Sequence, residues 1–302
     1  MSVLAPVRDR ASDLTYATGW AAVQRMPESA AQALFRQVAD AAYRRNGARV
    51  QQLHRNLRHV VGEVPADELE QLTRDGMRSY LRYWCEAFRL PTWTSQELSD
   101  RMVVHDRQLL DDAVAAGRGV VVAMGHMGNW DHLGAWAVAQ GIPATSVAER
   151  LKPERLFQRF VAYRESLGLE ILPLHGDTDL TANLLNRLRQ GRLVALVADR
   201  DLSNTAIDVK LLGRPARMPG GPAALALRAG AVLLPATSWY DETHTHLQLH
   251  PPLGATPGLR FRDAVPELTQ QFADIIGTTI TEHPADWHML QRIWLDDVGE
   301  PE

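Results

Sequence analysis

Residues 119–136 read GVVVAMGHMGNWDHLGAW, and this stretch decides the fold. Val120–Met124 is a short, β-branched apolar run with no room for a solvated face, the pattern of a strand buried on both sides. A glycine-broken turn follows, and from Trp130 to Gln140 the apolar residues recur at helical spacing. The same alternation continues downstream. Ala144–Ala148, Glu170–Pro173 and Leu193–Ala198 read as strands, and Glu154–Leu167 and Leu180–Gln190 as the helices between them. Strand, helix and strand in succession require crossover connections, hence a largely parallel sheet with helices on both faces. Past this unit, Pro222–Arg228 reads as a short helix, Val232–Tyr240 and Thr245–His250 as a strand pair, and Glu267–His283 as a closing helix.

Upstream the pattern differs. The first ~115 residues read as amphipathic helices, beginning with DLTYATGWAAVQRM, resuming after Pro27 through SAAQALFRQVADAAYRRNG with Asn46-Gly47 as its stop, and including a third near Glu68–Phe88. The expected organisation is a helical region 1–115 packed on an α/β core 116–302 within one compact unit. Tyr80, Tyr83 and Trp84 read as core. The single Cys85 cannot form an internal disulfide and reads as a small buried apolar residue.

With 45% hydrophobic and 23% charged residues, disorder and fibrous repeats are excluded. No run approaches the ~20 apolar residues that span a bilayer, and the N-terminus lacks the apolar centre of a signal peptide, so a cytoplasmic location is expected. The net charge of −4 is unevenly spread. Residues 1–60 hold nine Arg, including Arg8, Arg10, Arg25, Arg36 and Arg49, against four acids. That +5 end, with Tyr16, Trp20, Met26 and Phe35 among its residues, has the composition of a helix lying on an anionic membrane surface; packing on the core is the plainer alternative.

Ligands of open α/β sheets bind beyond the carboxyl ends of the strands. His126 falls there, with Gly125 and Gly128 allowing close approach of other groups. A neutral imidazole is a general base suited to pH 7. Two carboxylates compete to orient it. Asp131 lies five residues on, where it can turn back toward the ring or cap the first turn of the helix. Asp199 ends the Leu193–Ala198 strand in VADRDL and opens onto the same crevice.

His126-Met127-Gly128-Asn129-Trp130-Asp131 resembles the HxxxxD signature of the glycerolipid and lipid A acyltransferase superfamily. The segments HMGNWD, VAERLKPERLFQRFVAYRESLGLEILPL, ADRDL, GRPARMPGGPAALA and HPADWHMLQ look like those of the phosphatidylinositol mannoside acyltransferases. The resemblance runs over nearly the whole chain. It implies an α/β fold with a buried acyl channel and palmitoyl transfer from acyl-CoA to the 6-hydroxyl of a mannose on phosphatidylinositol mono- or dimannoside, at the cytoplasmic face of the plasma membrane. It implies no cofactor beyond the donor thioester and no metal. Relatives in that family carry Glu where this chain has Asp199, a side chain one methylene shorter.

Glu149 and Arg164 match the ERLKPE and YRESLG segments, and an Arg fork suits phosphate, so Arg164 is the first phosphate candidate, followed by Arg200 and Arg217. Gly220-Gly221-Pro222 opens a helix whose free amides could receive an anion. His283, Trp287 and His288 match HPADWHML and read as structural, with Trp287 a potential groove wall. Three rival readings remain open: a lipid A type enzyme drawing on acyl carrier protein, a metallo-hydrolase, against which Gly128 stands where a second ligand His would be, and a non-catalytic membrane-binding protein.

Overall fold

The computed structural model describes residues 18–149, 154–174, 179–201 and 206–296. Arg8, Arg10, Tyr16 and the start of the first expected helix lie outside these residues, as does Arg150–Pro153 of the ERLKPE segment. Residues 18–25 are helical. Beyond Pro27 comes α1 (Glu28–Arg45), whose chain reverses at Asn46, in the left-handed region at φ 45°. α2 (Ala48–Val61) and α3 (Ala66–Arg89) complete the helical region. The Arg74 and Arg78 guanidiniums both close on Asp40, tying α3 to α1 and holding that carboxyl well below its usual range.

The short α4 (Ser95–Asp100) leads into β1 (Met102–His105), a strand inside the span that read as wholly helical. Its four residues lie among helices, outside the strand–helix alternation that marks the strands downstream. β1 nonetheless pairs in parallel with β9 (Thr245–Leu249), so the main sheet draws a strand from the region 1–115. The helix α5 (Arg107–Ala115) then precedes β2 (Val120–Met124), α6 (Trp130–Ala139), β3 (Ala144–Ala148), α7 (Glu154–Ser166), β4 (Glu170–Pro173), α8 (Leu180–Arg189) and β5 (Leu193–Val197). The expected limits hold within a residue. After β8 (Val232–Tyr240) the sheet order is β1-β9-β8-β2-β5-β3-β4, parallel except between β8 and β9. The sheet is thus largely parallel, as expected.

The two-residue period of β2 shows in what each side chain meets. Val120, Val122 and Met124 pack into one apolar cluster with Leu133, Trp136 and Phe157, and Val121 and Ala123 into the other with Leu188, Leu225 and Phe272. Both faces of the sheet are therefore covered, which is why the strand needs no polar position.

A hairpin that the sequence reading lacks joins β5 to the rest. β6 (Ile207–Leu211) and β7 (Arg214–Met218) are antiparallel, and their two-residue turn places Leu212 at φ 52° and Gly213 at φ 78°. Two positive φ angles suit the twist of a tight hairpin, but the usual signal is Asn or Asp before Gly, and Leu212 hides it. α9 (Gly221–Ala229) follows, and the closing helix α10 runs from Phe261 to Glu282, starting six residues before the expected Glu267 with Pro266 inside it. Among the described residues no helix is long and apolar enough to cross a membrane.

Candidate active site

Register brings the first two site residues together. In the β2–β5 ladder Met124 is paired with Val197, and the Ala198 N–H donates to the Met124 carbonyl at 2.8 Å. His126 and Asp199 each stand two residues past a paired position, so their side chains meet across the carboxyl edge. His126 Nδ1 lies 2.5 Å from Asp199 Oδ1, and the His126 main-chain N–H donates to Oδ2 at 2.8 Å. The third donor is the Trp287 indole, Nε1 to Oδ2 at 3.2 Å.

Asp199 and Trp287 are fully buried and the His126 side chain is 26% exposed. Burial alone would raise the Asp199 carboxyl. The charge on the His126 ring, its hydrogen bond, the His126 amide and the indole together outweigh burial and hold it below the usual carboxylate value. An ionised carboxylate only accepts, so Nδ1 carries a proton, and in the neutral ring Nε2 keeps a lone pair for substrate. Gly125 and Gly128 shape the loop. A Cβ on Gly125 would come within 3.3 Å of Asp199 Oδ2, and Gly128, at φ 53°, would drive one into Ser238.

Trp287 is where the reading of HPADWHML fell short. The segment straps the loop that carries His126: His288 N–H donates to the His126 carbonyl at 2.8 Å and Gly128 N–H to the Asp286 carbonyl at 3.1 Å. Beneath it, Ser79 Oγ donates to Asp286 Oδ1 at 2.5 Å and lies 2.9 Å from His288 Nε2. Burial, and then the charge of His126, push the His288 imidazole down to about 3, so it is neutral. Indole is a large apolar side chain that also donates, and a Trp beside two chemistry-bearing residues was the available signal.

Asp131 takes a different partner from the one the motif spacing allows. Asn129 caps α6, its Oδ1 accepting from His132 N–H at 3.0 Å, so Asp131 is not the cap. Its carboxylate, 5% exposed, accepts from Arg164 Nε at 2.7 Å and from the Tyr83 hydroxyl at 2.9 Å. Arg164 therefore turns Nε and Nη2 onto a buried carboxylate while also lining the cavity described below. Its pKa stays raised because Asp131 offsets the lowering effect of burial. The Tyr83 ring stacks on Trp130 at 4.0 Å between centroids, and Trp130 in turn meets the His126 ring edge to face at 5.2 Å.

His126, Asp131, Arg164, Tyr83, Trp130 and His288 line one cavity of about 930 Å³, at the upper end of the ~300–1,000 Å³ usual for small-molecule sites. Its wall takes apolar residues from both faces of the sheet, Phe157, Phe160 and Leu169 on one and Leu184, Leu196 and Leu225 on the other. Tyr80, Tyr83 and Trp84, which read as core, also face it. Glu149 and Arg200 line it as a pair, Arg200 Nη2 to Glu149 Oε2 at 3.0 Å, with Arg200 Nη1 donating to Gln291 at 2.6 Å. Arg217 does not belong there. It lies on β7 opposite Asp208 in the hairpin register and bonds it at 2.8 Å in a solvated pair. Gly220, Gly221 and Pro222 line the cavity where α9 begins.

An imidazole held by a buried carboxylate beside a largely apolar cavity has the chemistry to activate a hydroxyl for attack on an acyl group, and comparison with known proteins shows that this chain is an acyltransferase. A family model described as bacterial lipid A biosynthesis acyltransferase matches residues 5–296, and the chain belongs to that family. It is 44% identical to the phosphatidylinositol mannoside acyltransferase of Mycolicibacterium smegmatis, over 98% of this chain and 95% of the relative. It is 45% identical to proteins of the same name from two strains of Mycobacterium tuberculosis, over 96% of this chain and 90% of each relative.

Proposed function

We propose that the protein moves a palmitoyl-type chain from acyl-CoA to the 6-hydroxyl of a mannose on phosphatidylinositol mannosides bearing one or two mannoses, working as a peripheral protein on the cytoplasmic face of the plasma membrane. The observation that carries the reading is the 2.5 Å contact of His126 Nδ1 with Asp199 at the edge of the apolar cavity. The names of the relatives support the acceptor.

In this mechanism His126 Nε2 removes the proton of the mannose hydroxyl as its oxygen attacks the thioester carbonyl, a contribution of ~10²–10⁴-fold. Asp199 fixes the tautomer and stabilises the imidazolium. As the C–S bond breaks, the imidazolium returns the proton to the departing thiolate, so ester and free thiol leave with His126 neutral. Phe157, Phe160 and Leu169 offer the acyl chain an apolar wall, and Arg200 with Glu149 faces the polar end of a bound substrate. Asp131 and Arg164 hold the start of α6, and through Tyr83 and Trp130 the His126 ring.

Mass spectrometry of the product from palmitoyl-CoA and purified phosphatidylinositol mannoside tests the reading. A single added palmitoyl group on a mannose, lost on replacing His126, is expected. Acylation only when acyl carrier protein is the donor, or no acylation of a mannosylated lipid, would overturn it.

A further inference from the structure

Six large apolar side chains stand exposed among the described residues: Leu34, Val38, Leu227, Leu259, Phe261 and Leu295. Two of them, Leu259 and Phe261, flank Arg260 at the start of α10, and Leu227 is beside Arg228 on α9, which packs against α10. The Arg228 guanidinium lies 5.0 Å above the Phe261 ring. Arg228, Phe261 and Arg262 also form part of the cavity wall, whereas Leu227, Leu259 and Arg260 do not. A patch of apolar tips interleaved with guanidiniums therefore continues into the cavity.

The charges of this patch favour an anionic partner. Arg260 and Arg262 expose 69% and 70% of their side chains. Asp263 takes Arg260 at 3.1 Å and lies 3.6 Å from Arg262, and Glu267 turns onto Thr256. Arg228 has no carboxylate partner among the described residues. Three cations against two acids leave an excess of one positive charge. Tips of Leu and Phe separated by Arg suit the boundary between headgroups and acyl chains, where the apolar atoms enter and the guanidiniums meet phosphate.

We propose that Leu227–Arg228 and Leu259–Arg262 form the surface on which the protein docks to an anionic lipid bilayer, setting the cavity against the membrane. The proposal rests on the reading that the acceptor is a lipid, which must pass from bilayer to cavity. The other apolar pair, Leu34 and Val38 on α1, is one helical turn apart and equally exposed, but neither lines the cavity.

The test is co-sedimentation of the full chain with vesicles of phosphatidylcholine containing phosphatidylinositol, and with phosphatidylcholine alone, for wild type, L227S/L259S, R260E and L34S/V38S, with thermal unfolding confirming each fold. The L227S/L259S variant should lose about tenfold in partitioning. R260E should weaken binding to the anionic vesicles alone, and L34S/V38S should bind as wild type. Undiminished binding by L227S/L259S, loss confined to L34S/V38S, or wild-type binding indifferent to phosphatidylinositol would each overturn the proposal. Release of CoA from palmitoyl-CoA on adding detergent-dispersed phosphatidylinositol mannoside without vesicles, measured on the wild type, tests the acyl-transfer reading separately, since its failure leaves the vesicle result standing.

Discussion

Two aspartates are candidates to orient His126, and their surroundings differ in a way that assigns their tasks. Asp199 is met by three N–H groups, two of them from His126 itself and one from Trp287. Asp131 is met by a guanidinium and a phenol. One carboxylate is placed to answer charge that appears and disappears on an imidazole; the other neutralises a charge that is always present. The HxxxxD spacing alone could not separate these roles. Asp131 sits in the first turn of α6, where Arg164 and Tyr83 take up its carboxylate, while the Met124–Val197 register delivers Asp199 to the ring.

The contrast is sharpest in turnover. Asp199→Asn keeps the shape but leaves the imidazolium without an anion, and kcat should fall by about 10⁴-fold. His126→Ala should fall by at least ~10². If Asp199→Asn retained more than a tenth of wild-type kcat in steady-state assays, the contrast would break.

Asp131→Asn should instead act first on stability. It strands Arg164 in a buried site with no counter-charge, a loss of about 3–5 kcal/mol in urea unfolding. Its kcat should fall less than that of Asp199→Asn. A folded Asp131→Asn protein with unchanged stability and collapsed kcat would exchange the two assignments.

A smaller effect is expected at Trp287→Phe, which keeps the buried ring and removes the donor to Asp199. A hydrogen bond to a charged group contributes about 1.5–3 kcal/mol. The change should lower kcat roughly tenfold, with KM nearly constant, because the lost interaction matters most when His126 is charged.

The last expected effect is a slope with pH, small near neutrality. The imidazole of His288 has an ordinary value of 6.5 and is pushed down to about 3 by burial and by the charge of His126. Between those values the unfolded chain holds the proton and the folded chain does not. Stability attributable to His288 is therefore complete above 6.5 and is lost as pH falls toward 3, at up to about 1.4 kcal/mol per pH unit. His288→Gln should flatten that limb of a urea-unfolding series.

The sequence made the parallel core legible because its strands are buried on both faces and read as unbroken apolar runs, as Val120–Met124 does. β1 was not legible, since its four residues lie outside the strand–helix alternation that marked the equally short β4, and the β6–β7 hairpin was concealed by Leu212 at a positive φ. In the site, His126 and Asp199 could be found from their places at strand ends. The Trp287–Asp199 contact and the Arg164–Asp131 pair could not, because both join side chains some 33 to 88 residues apart in sequence that only packing brings together.

The most direct measurement of which acid holds His126 needs no turnover. In ¹⁵N-labelled protein, the Hδ1 proton of the His126 ring, assigned by its absence from His126→Ala, should resonate far downfield in the folded wild type. That resonance should persist in Asp131→Asn and vanish from Asp199→Asn. Its survival in Asp199→Asn together with its loss in Asp131→Asn would contradict the pairing of His126 with Asp199.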